Sequence, residues 1–162
     1  MSVPFEIERK YLIEIPDISW LEDHPAVTKS EIIQTYLVAS EGEERRVRMR
    51  REGDQVTYFY TVKRKITAVT REENETVISK EAYQERLSEA DPNKRPLEKT
   101  RYCLPYKGLC IEIDVYPFWS YQAIAEVELP NEEAPVCFPP EIKIIREVTG
   151  EKAFKNSELA KR

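Results

Sequence analysis

In most of the strong segments of this chain, apolar residues alternate with charged ones. "FEIERKYL" shows the pattern: Glu6, Glu8 and Lys10 form one set, and Phe5, Ile7, Arg9 and Tyr11 the other. A period of two puts the two sets on opposite faces of a β-strand, so one face is made for a core and the other is not. The repetition makes the chain mainly β. Strands are predicted over residues 4 to 14, 31 to 39 and about 69 to 78, and over "AIAEVEL", which Pro130 stops. "RRVRMRREGDQVTYFYTVKRK" reads as a hairpin turning at Gly53-Asp54, and "LEKTRYCLPYKGLCIEIDVY" as a second around Lys107-Gly108. Helices are fewer. "SKEAYQERLSEAD" has Ser79 as N-cap and Tyr83, Leu87 and Ala90 on one face. "DISWLEDH" is a short candidate, and two more are predicted around 140 to 146 and 151 to 162, the last with Lys161 and Arg162 at its negative end. A length of 162 residues fits one domain over 1–162 with a real core.

The charged faces sort by sign. Two strands start the set with Glu6, Glu8 and Lys10, and with Arg46, Arg48 and Arg50. Next come Lys63 and Lys65, then Arg71, Glu73 and Glu75. Lys99 with Arg101, Glu112 with Asp114, and Glu126 with Glu128 complete it, giving eight acids and nine bases. One such strand is ordinary in a sheet with a wet face. Seven are not, because a wet face normally mixes in Ser, Thr, Asn and Gln. Arginines two apart on a strand stand about 7 Å from each other and repel unless anions face them. If the sheet closes into a barrel, the charges line its lumen, which must then hold water or ions. A wall of guanidinium groups suits phosphate oxygens. Glu6/Glu8 and Glu126/Glu128 repel within each pair, which raises one pKa of each, and a hard divalent cation, Mg²⁺ or Mn²⁺, relieves that cost.

Several classes are disfavoured. The net charge of −5 argues against nonspecific nucleic-acid binding. The four glycines form neither GxGxxG nor GxxxxGK[ST], and His24 has no second histidine to complete a zinc site or triad. Cys103, Cys110 and Cys137, odd in number and without CxxC, suit reduced thiols in a cytoplasm and read as three small buried apolar residues. No apolar run is long enough for a membrane span, and no basic-then-apolar leader opens the chain, so a cytoplasmic protein is expected.

With these elements in order, the sequence resembles the CYTH superfamily, the triphosphate tunnel metalloenzymes, which includes class IV adenylate cyclases and thiamine triphosphatase-like proteins. The ExExK signature stands as Glu6-Ile-Glu8-Arg-Lys10, followed by "RVRMR", Thr61-Val-Lys63, Arg71-Glu-Glu73-Asn-Glu75, Lys99-Thr-Arg101-Tyr102, "EIDV" and "EVELP". "REVTGEKAFKNSELA" looks like the family's ending, with Phe154 and Asn156 in its aromatic and Asn places. The match runs from residue 5 to 160. The resemblance implies an eight-stranded antiparallel closed barrel, a tunnel, with peripheral helices. It implies Mg²⁺- or Mn²⁺-dependent hydrolysis of a small-molecule triphosphate. From charge and hydropathy no nucleic-acid or membrane partner is expected, and the exposed strand and helix surfaces suit a monomer or homodimer. By position, Glu8, Asp114 and Glu128 would bind the metal that bridges the phosphates, and Glu6 and Glu126 a second metal or the attacking water. Glu6, Glu126 and Lys10 would act in catalysis. Lys10, Arg46, Arg48, Arg50, Lys63, Lys99 and Arg101 would clamp phosphate. Three arginines stand where two are typical, so either Arg46–Arg48 or Arg48–Arg50 is the principal pair, and Lys65 has no role. The alternatives are a class IV-type adenylate cyclase making cyclic AMP and diphosphate from ATP, and a non-catalytic polyphosphate-binding module.

Overall fold

The computed structural model describes residues 5–161. Nine strands form one antiparallel sheet: β1 (Phe5–Glu14), β2 (Thr28–Leu37), β3 (Glu43–Glu52), β4 (Gln55–Lys65), β5 (Thr70–Ile78), β6 (Leu97–Tyr106), β7 (Leu109–Val115), β8 (Gln122–Glu128) and β9 (Ile144–Glu147). Around the ring the order is β5-β4-β3-β2-β6-β7-β8-β1, and β1 returns to β5 through Phe5↔Glu72, Glu6↔Arg71 and Ile7↔Thr70. The sheet is therefore a closed eight-stranded barrel, as expected, with one strand added. The predicted turns lie where the glycines allow them: Gly53 has φ +57°, and Lys107 and Gly108 have φ 49° and 80°. Two consecutive positive φ values are what a tight two-residue hairpin turn requires.

Three apolar layers hold the ring. Outward residues of β1, β6, β7 and β8, among them Ile13, Tyr102, Leu104 and Ile113, pack under α1 (Ile18–Asp23) and the segment around Phe138 and Ile142. Val47, Met49, Tyr58 and Tyr60 on β3 and β4 pack under α2 (Lys80–Arg86) through Tyr83, whose ring centroid is 4.9 Å from that of Tyr58. Ser79 caps α2 as predicted, its Oγ accepting from Ala82 N at 3.0 Å. The third layer is inside the barrel. Leu12 and Ile124 pair across β1 and β8, and with Tyr36, Leu97 and Tyr116 they meet Val148 and Ala160. Burying each of these aliphatic side chains contributes roughly 1.5–3 kcal/mol, so the interior is an apolar plug in one zone and ionic in the other.

The helix predicted around 140 to 146 is not formed. Pro139 and Pro140 precede it, and Ile144–Glu147 is β9. The cause is a mismatch of lengths. β5 covers only residues 5 to 7 of β1, so that edge is unpaired further on, and β9 fills it at Tyr11↔Glu147, Leu12↔Arg146 and Ile13↔Ile144. The predicted 151 to 162 helix is broken into a 3₁₀ turn at Lys152–Phe154 and α3 (Asn156–Leu159); Arg162 lies outside the described residues. The second strand covers 28–37 rather than 31–39. The cysteines also differ from expectation: Cys103 is half-buried and Cys110 and Cys137 are exposed, Cys110 beside the β6–β7 turn and Cys137 in the loop after Pro135. Among the described residues no helix is long and apolar enough to cross a membrane.

Candidate active site

The barrel's charged interior divides into two halves. β7, β8, β1 and β5 are consecutive around the ring and carry inward Glu112, Asp114, Glu126, Glu128, Glu6, Glu8, Glu73 and Glu75, with Lys10 and Arg71 as the bases among them. β4, β3 and β6 of the other half carry Lys63, the three arginines, Lys99 and Arg101. A cavity of about 220 Å³ lies between them. The seams are ion-paired. At β4–β5, Lys63 faces Glu73 in register at 3.7 Å. At β6–β7, Arg101 faces Asp114, with Nε–Oδ1 2.7 Å and Nη2–Oδ2 2.9 Å.

Between the basic strands stands β2, whose inner face is uncharged. Its Ile32, Gln34 and Tyr36 are in register with Arg50, Arg48 and Arg46. Gln34 Oε1 accepts from Arg48 Nε at 3.1 Å and Nη2 at 2.8 Å, while its Nε2 donates to the Tyr36 hydroxyl at 2.7 Å. Burial, then the Arg46 and Arg101 charges, lower Arg48 to about 9. Burial works against the Arg46 charge as well, yet neighbouring acidic groups, Glu44, Glu73 and Glu75 among them, hold it above the usual arginine value. Arg46 Nε is buried with no hydrogen-bond partner. A buried donor without an acceptor is costly, and Arg46 stands with Arg48 and Arg50 in the cavity wall. Arg50 sits further out, ion-paired with Glu52 at 3.3 Å and lying over the Phe59 ring at 4.7 Å.

On the acidic side, Glu8 pairs in register with Glu128, and Lys10 with Glu126 at 3.7 Å. Arg71 Nη1 donates to Glu8 Oε1 at 3.0 Å, and Lys63 Nζ to Glu6 Oε1 at 3.1 Å. Burial, then Glu126 and then Glu6, push the Glu8 carboxyl well above its usual range. Burial opposes ionisation of Glu126 too, but Lys10, Arg101 and Lys99 hold it well below. Glu73 is raised to about 7 by burial and by Glu6, against the pull of Lys63, while Glu6, despite burial, is lowered, chiefly by Lys63. Repulsion splits Glu6 from Glu8 as expected, and couples Glu8 to Glu126 and Glu6 to Glu73 across strands. The expected Glu126/Glu128 repulsion is not what shifts that pair: despite burial, Lys10, Arg101 and Lys99 hold Glu126 down, and burial, then Glu6 and Glu112, raise Glu128.

Ten of the expected residues line the cavity: Glu6, Glu8, Lys10, Arg46, Arg48, Arg50, Lys63, Arg101, Glu126 and Glu128. Lys99 and Asp114 lie behind the wall with fully buried side chains, 2.7 Å apart. Arg101 and Lys99 hold the Asp114 carboxyl down although burial opposes its ionisation. Burial, then Arg101, bring Lys99 to about 7. Eight lining residues had no role assigned from the sequence: Arg71, Glu73, Glu75 and Glu112, read there only as part of the charged faces, and Tyr36, Glu44, Lys155 and Asn156. Glu44 is one more step of the β3 alternation, two residues before Arg46. Asn156 accepts from the Tyr116 hydroxyl, and Lys10 Nζ donates to Phe154 O at 3.2 Å, so the C-terminal turn is tied to the site.

For a metal, the donors on the acidic side are all carboxylate oxygens, which suits a hard divalent cation. Besides burial, Glu126 and Glu6 both oppose ionisation of Glu8, a cost that a cation beside these carboxylates would relieve. Among the described residues, no three acidic, cysteine or histidine side chains already gather into a cage. Such a cation would therefore take part of its ligand set from an anion in the cavity.

The profile of the CYTH domain family matches residues 4–153. This chain belongs to the CYTH family. Among solved structures, the inorganic triphosphatase NE1496 is 29% identical to this CYTH protein, with 97% of this chain and 95% of that one covered and a TM-score of 0.56. PH1819 from Pyrococcus horikoshii OT3 is 22% identical over 79% and 80% of the two chains, TM-score 0.60. HpAC1 from Hippeastrum, proposed as an adenylyl cyclase and described with a dominant triphosphatase activity, is 15% identical over 78% and 81%, TM-score 0.50. The last two share the fold. No protein of curated function matches the chain.

Proposed function

We propose that this CYTH protein is a metal-dependent triphosphatase that removes the terminal phosphate of tripolyphosphate or another triphosphate compound. The observation that carries the reading is the closed barrel in which Arg46, Arg48, Arg50 and Lys63 face a wall of carboxylates across one cavity. The likeness to NE1496 supports it. In this reading Arg46 and Arg48 are the principal pair, with Arg50, Lys63, Lys10 and Arg101 completing the clamp on the phosphoryl oxygens. Lys99 adds its charge from behind and, with Asp114, fixes the Arg101 fork. Rigid, preorganised donors of this kind are the main catalytic resource in phosphoryl transfer.

Glu8, Glu126 and Glu128, with Glu6, would hold Mg²⁺ or Mn²⁺; Asp114 joins them only by giving up Lys99 or Arg101. A cation there offsets charge on the phosphate oxygens. Glu6, held ionised, accepts one proton of the attacking water, and Glu126, held ionised more firmly, orients that water. Water bonds to the terminal phosphorus, the bond to the bridging oxygen breaks, and phosphate and diphosphate leave. Of the described residues lining the cavity, Tyr36 has the one aromatic ring and Asn156 the one amide, and the others are charged. That lining favours hydrolysis over cyclisation of ATP, which must also seat a purine. Phosphate release from tripolyphosphate, ATP and thiamine triphosphate with Mg²⁺ or Mn²⁺ tests the reading. Release from none of them overturns it, and cyclic AMP with diphosphate from ATP replaces it with the cyclase.

A further inference from the structure

Lys65 and Lys155 are not used by the mechanism above, and both face a second cavity of about 340 Å³. That cavity shares Tyr36, Glu44, Lys63, Arg71 and Lys155 with the chamber, so the two meet along a common wall. Their charges differ. The chamber is lined by eight cationic and eight acidic side chains. The second cavity is lined by six cations, Arg45, Lys63, Lys65, Arg71, Lys94 and Lys155, against three acids, Glu43, Glu44 and Asp91. A balanced chamber suits an anion that arrives with a metal. A cationic surplus suits an anion alone.

Local pairing leaves the surplus in one place. Arg45 is held by Glu89 at 2.6 Å and Lys94 by Asp91 at 3.9 Å. Lys65 sits directly across from Arg71, like charge against like, and Lys155 lies within electrostatic reach of Arg71, Lys65 and Lys10. Half-buried Glu44 is the carboxylate among them, and it also faces Arg46 and Lys63. Arg71 is offset by Glu8 at 3.0 Å and Lys63 by Glu6 at 3.1 Å, so the cationic surplus rests on Lys65 and Lys155.

We propose that the second cavity is a phosphoryl subsite, so that a linear polyphosphate of four or more units is held with its extra units against Lys65 and Lys155. The inference rests on the triphosphatase reading and extends it to chain length. Each turnover is the same step: water cleaves one phosphoanhydride bond, giving phosphate and a chain one unit shorter.

The test uses the full chain, tripolyphosphate and tetrapolyphosphate, with KM from phosphate release and Kd from calorimetry in chelator. Lys65 is exposed and lines only the second cavity. Arg64, its neighbour on the outer face, is the control, since R64Q removes the same charge outside the barrel. The expected result is tighter binding of tetrapolyphosphate by the wild type, a preference reduced about threefold to fivefold by K65Q and unchanged by R64Q. KM for tripolyphosphate stays within about twofold in both variants. Equal affinity for the two chains in the wild type, or an equal loss for both in K65Q, overturns the inference while leaving the triphosphatase reading in place. Inhibition by orthophosphate that is noncompetitive with tripolyphosphate and relieved in K65Q, without a chain-length preference, assigns the cavity to free phosphate and overturns it too. If neither chain is hydrolysed or bound, the function itself fails.

Discussion

Arg48 gives two of its N–H groups to a single oxygen of Gln34, at 3.1 and 2.8 Å, in a site where Gln34 is wholly buried. That amide fixes one edge of the guanidinium and turns Nη1, the remaining nitrogen, elsewhere. Because Gln34 is neutral, it aims the arginine without cancelling its charge. An anchored fork loses little freedom when it meets a phosphate.

Replacing Gln34 with Leu keeps much of the volume and removes the acceptor. Two Arg48 N–H groups are then buried without a partner, a penalty of about 1–3 kcal/mol for a group of this kind. Urea denaturation of Q34L should show that loss. KM for tripolyphosphate should rise about tenfold with a smaller change in kcat, because a ground-state clamp is disturbed. An unchanged KM in a folded Q34L protein would show that Arg48 does not need its anchor.

Glu8→Gln retains the size of the side chain and removes a carboxylate from the proposed cation site. Turnover should fall at least about a hundredfold. Tripolyphosphate should still bind in chelator, since Arg46, Arg48 and Lys63 remain. Calorimetry beside a phosphate-release assay separates the two effects. Full activity in E8Q would remove Glu8 from the mechanism.

Away from the barrel's interior, the Tyr102 hydroxyl donates to Glu22 Oε2 at 2.9 Å, and Lys29 bonds the same oxygen at 2.9 Å. Burial, then Glu22, raises Tyr102 to about 12 from the usual 10. Folding favours the protonated phenol, so its contribution is complete below pH 10 and is lost as pH rises through about 12. Glu22 is well exposed, which limits the gain to about 1 kcal/mol. Y102F should lose that amount across neutral pH, and the gap from wild type should close under strongly alkaline conditions. A gap that widens with pH would reverse the sign of the argument.

Thiol labelling should follow burial. Cys103 is half-buried, its Sγ lies 4.0 Å from Glu112 Oε2, and burial, then Glu112, push its thiol up to about 12. Cys137 is exposed in a loop. With iodoacetamide at about pH 8, peptide mass spectrometry should find Cys137 modified well before Cys103, because the thiolate is the reacting form. The opposite order would mean that the β6–β7 end of the barrel opens readily.

The ionic walls were legible because alternation is local: Arg46, Arg48 and Arg50 declare a face without knowledge of any partner strand. What surrounds them was less so. Gln34 and Tyr36 are uncharged and escape a search for charge, although they stand on the inner face of β2 opposite the arginines. Glu44 could have been found by carrying the β3 alternation back one step. Lys155 could not, because it belongs to no strand and reaches the cavity only through the path of the C-terminal turns. β9 was missed for a related reason. Ile144 and Ile145 suit a strand, but the edge they fill exists only because β1 runs past β5.

The dependence of β1 on late partners also bears on how the ring is assembled. Lys10 N donates to Thr149 Oγ1 across 139 residues of sequence, and Glu8 waits for Glu128. On a ribosome, β1 therefore emerges well before β8 and Thr149, the neighbours that complete it. Contacts of such long span make closure slow. The hairpins β3–β4 and β6–β7 join strands adjacent in sequence, whereas β1 is completed by partners more than a hundred residues away.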